Sequence, residues 1–152
     1  MNNNALIYVL ENGYLAIEDD VIKQLTKYIQ HSSSDVEQGG VLIGEYRGNH
    51  IRITSSSTPG PDDKASRYSF YRNKKYHNKI IKNEWISSEG YSTYVGEWHT
   101  HPENYPTPSI IDMTNWEKNL PPDRPMILLI MGLKGIWCGC KSLKKIKELE
   151  ID

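Results

Sequence analysis

The run Gly96-Glu97-Trp98-His99-Thr100-His101-Pro102 fixes more of this chain's architecture than any other segment. Tyr91 to Trp98 reads as a β-strand that runs into it. Side chains on a strand alternate in direction, so His99 and His101 share one face. Pro102 stops the strand, and the turn-rich stretch from Glu103 to Pro108 reverses the chain. Ser109 then stands three residues before Asp112, the spacing of a capped helix start. A helix over Ser109 to Leu120 would carry Asp112 in its first turn, aimed back at the two imidazoles. Any fold of this chain must therefore set a strand end against a helix N-terminus.

Two histidines and one aspartate make three protein ligands, which leaves the fourth position of a catalytic zinc open for water. Imidazole with carboxylate suits zinc better than calcium or magnesium. A bare His-x-His can also do no more than pack or hydrogen-bond. The downstream Ser-x-x-Asp and the proline-bounded loop tip the reading toward a metal. Water at such a site needs a base, and two glutamates compete. Glu97 lies two residues before His99 on the same face, where it would serve equally well as a hydrogen-bond partner of a ligand. Glu37 precedes Gly39-Gly40 and a buried strand, where backbone can approach closely. Spacing leaves both open.

Along the rest of the chain, Ala5 to Leu10 and Tyr14 to Ile17 form a hairpin about Asn12-Gly13. Asp19 and Asp20 cap a helix over Val21 to His31, ended by Ser32-Ser33-Ser34-Asp35. Val41 onward is a buried strand that turns at Gly48-Asn49 into His50 to Thr54. Ser55 to Lys64 is a loop and the most mobile segment expected. Tyr68 to Tyr71 is a short strand and Asn73 to Ser87 a helix. Met126 to Met131 and Ile136 to Lys141 close as a hairpin. Helices interleaved with hairpins indicate an α+β or α/β sandwich, and the short connections favour antiparallel pairing. The 152 residues suit one domain over 1–152.

Glu37, His99-Thr100-His101 and, seven residues on, Ser109 with Asp112 resemble the JAMM motif of the JAB1/MPN metalloproteases. The resemblance runs from the glutamate to Asp112 and is expected to extend over the whole chain. It implies the JAB1/MPN (cytidine-deaminase-like) sandwich, with a mixed, mainly antiparallel sheet flanked by helices. It selects Glu37 as general base, gives His99, His101 and Asp112 to Zn2+, and assigns Ser109 to the oxyanion. Glu37-Gln38-Gly39-Gly40-Val41-Leu42-Ile43-Gly44 and Gly96 to Glu103 are similar to a prokaryotic branch. That branch includes the deconjugating isopeptidase of CBASS antiphage operons, which works beside an E1/E2-like ligase. The implied substrate is a CD-NTase (a cyclic-nucleotide synthase) or a ubiquitin-like protein, joined to a target through an extended C-terminal tail. In the family a segment equivalent to Ser55–Tyr71 clamps that tail, which points to Arg67, Tyr68 and Phe70. Arg67 or Arg72 would meet acidic substrate groups unless simply solvated. Processing of a ubiquitin-like or sulfur-carrier precursor uses the same chemistry. A non-catalytic MPN scaffold usually lacks a motif residue, and this chain has all of them.

Composition excludes other classes. Lys+Arg is 18 against Asp+Glu 19, a net charge of −1, which gives no general attraction to nucleic acid or an anionic membrane. The apolar run Met126–Met131 is far short of the roughly 20 residues of a membrane helix, and Met1-Asn2-Asn3-Asn4 lacks a basic leader. Cys138 and Cys140 read as small buried side chains on one strand face, and two unpaired thiols fit a reducing cytoplasm. His31, His50 and His77 read as surface or capping residues. Trp98 and Thr100 should pack inward, and Trp116 behind the metal ligands. Lys141 to Lys147, with Leu143, Ile146 and Leu149 interspersed, reads as a short solvated helix.

Overall fold

A computed structural model describes residues 4–32 and 34–152. Met1–Asn3 of the polar start, read as lacking a basic leader, and Ser33 of the expected helix stop lie outside those residues. The order of elements is β1 (Leu6–Leu10), β2 (Gly13–Ile17), α1 (Asp19–Thr26), β3 (Gly39–Arg47), β4 (His50–Ser56), β5 (Lys64–Ser66), β6 (Ser69–Tyr71), α2 (Lys74–Ser87), β7 (Thr93–Thr100), α3 (Ile110–Asn119), β8 (Met126–Met131), β9 (Ile136–Ser142), β10 (Lys145–Glu148) and β11 (Glu150–Ile151). The main sheet runs β10-β9-β8-β7-β3-β4-β2-β1-β11, and β5-β6 forms a separate two-stranded sheet. In the main sheet β2–β4 and β7–β8 are parallel, and the other pairs are antiparallel. The mixed, mainly antiparallel sandwich expected from the sequence is the observed fold.

Alternation builds the two packing layers. In β8, Ile127, Leu129 and Met131 face a core shared with Val21 and Leu25 of α1. Met126, Leu128 and Ile130 face a second core with Trp116 and Leu120 at α3. An uninterrupted apolar strand is what burial on both faces demands. In β9, Cys138 and Cys140 go to the first core and Trp137 to the second. Both cysteines are free and buried, as expected.

Several local expectations differ. The first hairpin turns at Glu11-Asn12, and Gly13 opens β2. A Cβ on Gly13 would lie 2.4 Å from the Asn49 carbonyl oxygen, so this glycine serves close approach. Helix α1 stops at Thr26 rather than His31, and Tyr28 continues through a turn to pack on Trp98 at 5.7 Å between rings. The basic tail is strand, not helix. Its period is two over Lys145–Glu148, where four residues pair with β9, and the chain then crosses to pair Glu150 and Ile151 with β1. One segment thus touches both ends of the sheet. His77, read as a surface residue, is fully buried. Its hydrogen-bonding partners, Ser57 and Asp63, lie 20 and 14 residues upstream, beyond any local pattern.

Candidate metal centre

The site forms where the C-terminal end of β7 meets the residues just before β3. Gly39 pairs with His99 and Gly40 with Trp98. Neither glycine has room for a side chain. A Cβ on Gly39 would be 2.7 Å from the Phe70 ring, and one on Gly40 would be 2.6 Å from Ser57. This flat stretch brings Glu37 against the histidines. Gln38 is held from both sides by Thr100, whose N–H donates to the Gln38 carbonyl at 2.9 Å and whose hydroxyl accepts from Gln38 N–H at 2.9 Å. Thr100 then donates its hydroxyl proton to Gln30. The inward-facing Thr100 and Trp98 therefore anchor the strand, as expected, while His99 and His101 face the opposite side.

Helix α3 supplies Asp112. Ser109 is its N-cap in a reciprocal capping box. The Ser109 Oγ accepts from Asp112 N–H at 3.0 Å, and Asp112 Oδ2 accepts from Ser109 N–H at 2.8 Å. The box locks the Asp112 rotamer toward the histidines. Asp112 Oδ1 lies 3.2 Å from His99 Nε2, Asp112 Oδ2 lies 3.1 Å from His101 Nε2, and the two Nε2 atoms are 3.1 Å apart. A zinc tetrahedron with bonds of 2.0–2.1 Å has edges of about 3.3 Å, so these three donors already stand at the right separation. Glu37 Oε2 is 3.9 Å from His101 Nε2. Glu37, His99 and His101 form a buried group whose donor atoms all lie within 4.8 Å of one another.

The electrostatics follow from this crowding. Burial pushes the Glu37 carboxyl up to about 8; His101 opposes the rise, and Asp112 and Glu103 add to it. Burial works against a charged His101, but hydrogen bonds to Asp112 and Glu103 and the charge of Glu37 raise it to about 9. Asp112 resists burial and sits well below the usual carboxylate range because His101 and His99 hydrogen-bond to it. His101 Nδ1 donates to Glu103 at 2.9 Å. That bond commits the Nε2 lone pair to the centre of the cluster, the usual arrangement behind a metal-bound histidine. A donor set with converging lone pairs fits a divalent cation.

Around the cluster, Trp116 lies 6.0 Å from His99 and stacks on Trp137 at 5.8 Å. A narrow cavity leads away from Glu37, His99 and Asp112 past Phe70, Arg72, Glu97 and Asn115. Glu97 is not turned to the cluster. Its Oε2 accepts from Arg72 and from the Tyr94 hydroxyl. The bulge at Val95, which has no partner in β3 between Gly96–Leu42 and Tyr94–Ile43, sets Tyr94 and Glu97 on the same face. Arg72 therefore meets an acid of its own chain. Phe70 lines the cavity, whereas Tyr68 is exposed at the β5–β6 turn and Arg67 bonds the Ser32 carbonyl and stacks over Tyr68. Sequence reasoning missed Glu103, Asn115 and the Arg72–Glu97 pair. Only Glu103 left a signal, as a carboxylate two residues after His101.

Among the described residues, no helix is long and apolar enough to cross a membrane. The family model for prokaryotic homologues of the JAB domain matches residues 20–140. A protein of Escherichia coli (strain TW11681) named CD-NTase/cGAS isopeptidase is 40% identical over 99% of this chain and 97% of its own. One of the same name from Vibrio cholerae (strain ATCC 39315 / El Tor Inaba N16961) is 37% identical over 98% of this chain and 94% of its own. The solution structure of a protein from Desulfitobacterium hafniense shares the fold, with a TM-score of 0.65 at 16% identity over 87% of both chains. With that match across most of its length and the Glu/His/His cluster at its centre, the chain belongs to the prokaryotic JAB family and is a metalloprotease-type enzyme.

Proposed function

We propose that the protein is a zinc-dependent isopeptidase that cleaves the bond between the C-terminus of a CD-NTase and the target protein to which an E1/E2-like ligase has joined it. The carrying observation is the 3.1–3.2 Å triangle of His99 Nε2, His101 Nε2 and the Asp112 carboxylate beside a buried Glu37. The names of the E. coli and V. cholerae relatives support this substrate class.

His99, His101 and Asp112 would hold the metal. When bound, zinc supplies Lewis-acid polarisation of the scissile carbonyl and acidifies water. Glu37 takes a proton from the attacking water on its carboxylate and returns it to the leaving amine, so that water is divided between the new carboxylate and the lysine amine. Burial raises the Glu37 carboxyl in the metal-free protein; a divalent cation beside it would oppose that rise and favour the carboxylate that acts as base. Ser109 Oγ already accepts the Asp112 N–H, which leaves its hydroxyl proton to donate to the carbonyl oxygen as charge develops there. Phe70 and Trp116 give the cavity apolar wall beside its charged groups. Tyr68 and Tyr71 on the hairpin that supplies Phe70, and Ile110 and Ile111 on the helix that supplies Asp112, are exposed apolar side chains, a surface suited to a protein rather than a small molecule.

The test uses purified protein, zinc analysis and a CD-NTase linked through its C-terminus to a reporter protein. Zinc-loaded enzyme should release the reporter, and a chelator should stop it. His99→Ala should lose stoichiometric zinc. Full zinc content in that variant, or no cleavage by the loaded enzyme, overturns the reading.

A further inference from the structure

Outside the metal centre the molecule carries a second constellation of serine, histidine and aspartate. Ser57 Oγ lies 2.5 Å from His77 Nδ1, and His77 Nε2 lies 3.1 Å from both oxygens of Asp63. These are the distances of a hydrolase triad, but the surroundings are not. Ser57 and His77 are buried, at 2% and 0% exposure, so no substrate reaches the hydroxyl. The Ser57 Oγ also accepts the Val41 N–H at 2.8 Å. Because carboxylate oxygens only accept, Nε2 must carry a proton, and the Ser57 hydroxyl, which already accepts from Val41, has its own proton to donate toward Nδ1. Every polar atom of the trio is committed to the fold.

Those commitments converge on one segment. Besides His77, Asp63 accepts from Gly60 N–H at 2.7 Å and Asn73 N–H at 2.5 Å. Gly60 and Asn73 flank the β5–β6 hairpin, so the carboxylate ties its two stems together. Asn73 is also the N-cap of α2, the helix that carries His77. The hairpin above this tie presents Phe70 to the cavity and accepts the Glu37 N–H on the Ser66 carbonyl at 2.6 Å. On the other side, Ser57 reaches β3 through Val41 and accepts from Trp98 Nε1–H on its carbonyl at 2.8 Å.

We propose that His77 is a positioning residue: the buried Ser57–His77–Asp63 trio pins the stems of the β5–β6 hairpin so that its Phe70 wall stands in place before substrate arrives. This rests on the isopeptidase reading and specifies how that site is held. The hairpin also accepts the Glu37 N–H, but Gln38 beside it is held on both sides by Thr100 of β7, so Glu37 keeps one anchor that does not depend on the pin, and loss of the pin affects substrate capture more than the chemical step.

The experiment compares wild type, His77→Leu, His77→Gln and Asp63→Asn by amide hydrogen exchange, zinc content and steady-state kinetics on the CD-NTase–reporter substrate. In His77→Leu, exchange at Gly60 and Asn73 should rise about tenfold or more. KM should rise about tenfold while kcat stays within about threefold, and zinc content should not change. His77→Gln keeps a donor for Asp63 and should recover part of both the exchange protection and KM. If His77→Leu does not fold, Asp63→Asn carries the same readouts in the same direction. Wild-type exchange and KM in the folded variants would overturn the proposal, as would labelling of Ser57 by a serine-directed fluorophosphonate. Altered exchange with no cleavage by any form, wild type included, would sink the isopeptidase reading and support the pin.

Discussion

His77 and His101 each stand between a carboxylate and a second polar atom, yet one difference decides what each can do. Around His77 every donor faces an acceptor: Ser57 gives its proton to Nδ1, and Nε2 gives its own to Asp63. Around His101 the inward Nε2 meets His99 Nε2 at 3.1 Å and Asp112 at 3.1 Å, so acceptors face acceptors. The first cluster is complete with protein alone. The second is complete only with a cation or extra protons, and the carboxylates of Asp112 and Glu103 favour the protonated His101 ring when no cation is bound. Saturated polar clusters hold structure, and unsaturated ones are sites.

The sharpest way to break this contrast is Glu37→Gln, which should keep zinc and lower kcat about 10²–10⁴-fold, measured with matched metal content. Ser109→Ala comes next. It should cost about 10²–10³ in kcat if its hydroxyl meets the oxyanion, and a near-normal rate would assign it to capping alone. Glu103→Ala frees His101 Nδ1 and should weaken zinc about 10–100-fold in a competitive chelator titration. Loading the metal-free protein with zinc at pH 7 should release ~1–2 protons per chain into a weakly buffered indicator solution. His101, raised to about 9, and Glu37, raised to about 8, both hold protons at that pH without metal. Zero release would mean that the cluster is not proton-filled. Ser57→Ala should leave zinc untouched and cost about 1–3 kcal/mol in denaturant unfolding, because Val41 N–H and His77 lose their partner. If it abolished zinc binding instead, the two clusters would not be independent.

The metal side of the molecule was legible because its geometry is local. A strand period of two set His99 beside His101, and Ser-x-x-Asp announced both a helix cap and the direction of Asp112. Which glutamate lies beside the histidines was not legible from spacing, since the bulge at Val95 and the Arg72 pairing that engage Glu97 leave no periodic trace. His77 was misread for a related reason: a histidine on a polar helix looks solvated until the loop that covers it is known. The tail from Lys145 was misread because lysines at strand spacing and at helix spacing overlap over so few residues. The strand boundaries of β8 matched to the residue, as unbroken apolar runs bounded by proline and glycine allow.

The last strands, β10 and β11, have a mechanical consequence. A single seven-residue ribbon, Lys145–Ile151, bonds to β9 on one flank and β1 on the other, with Leu149 N–H donating to the Cys138 carbonyl at the crossing. Peeling that ribbon away would unzip two seams together, so the first and ninth strands share one latch. Fraying there should register at Tyr8 and at Gly139 in the same event, linking distant stretches of chain in a common opening.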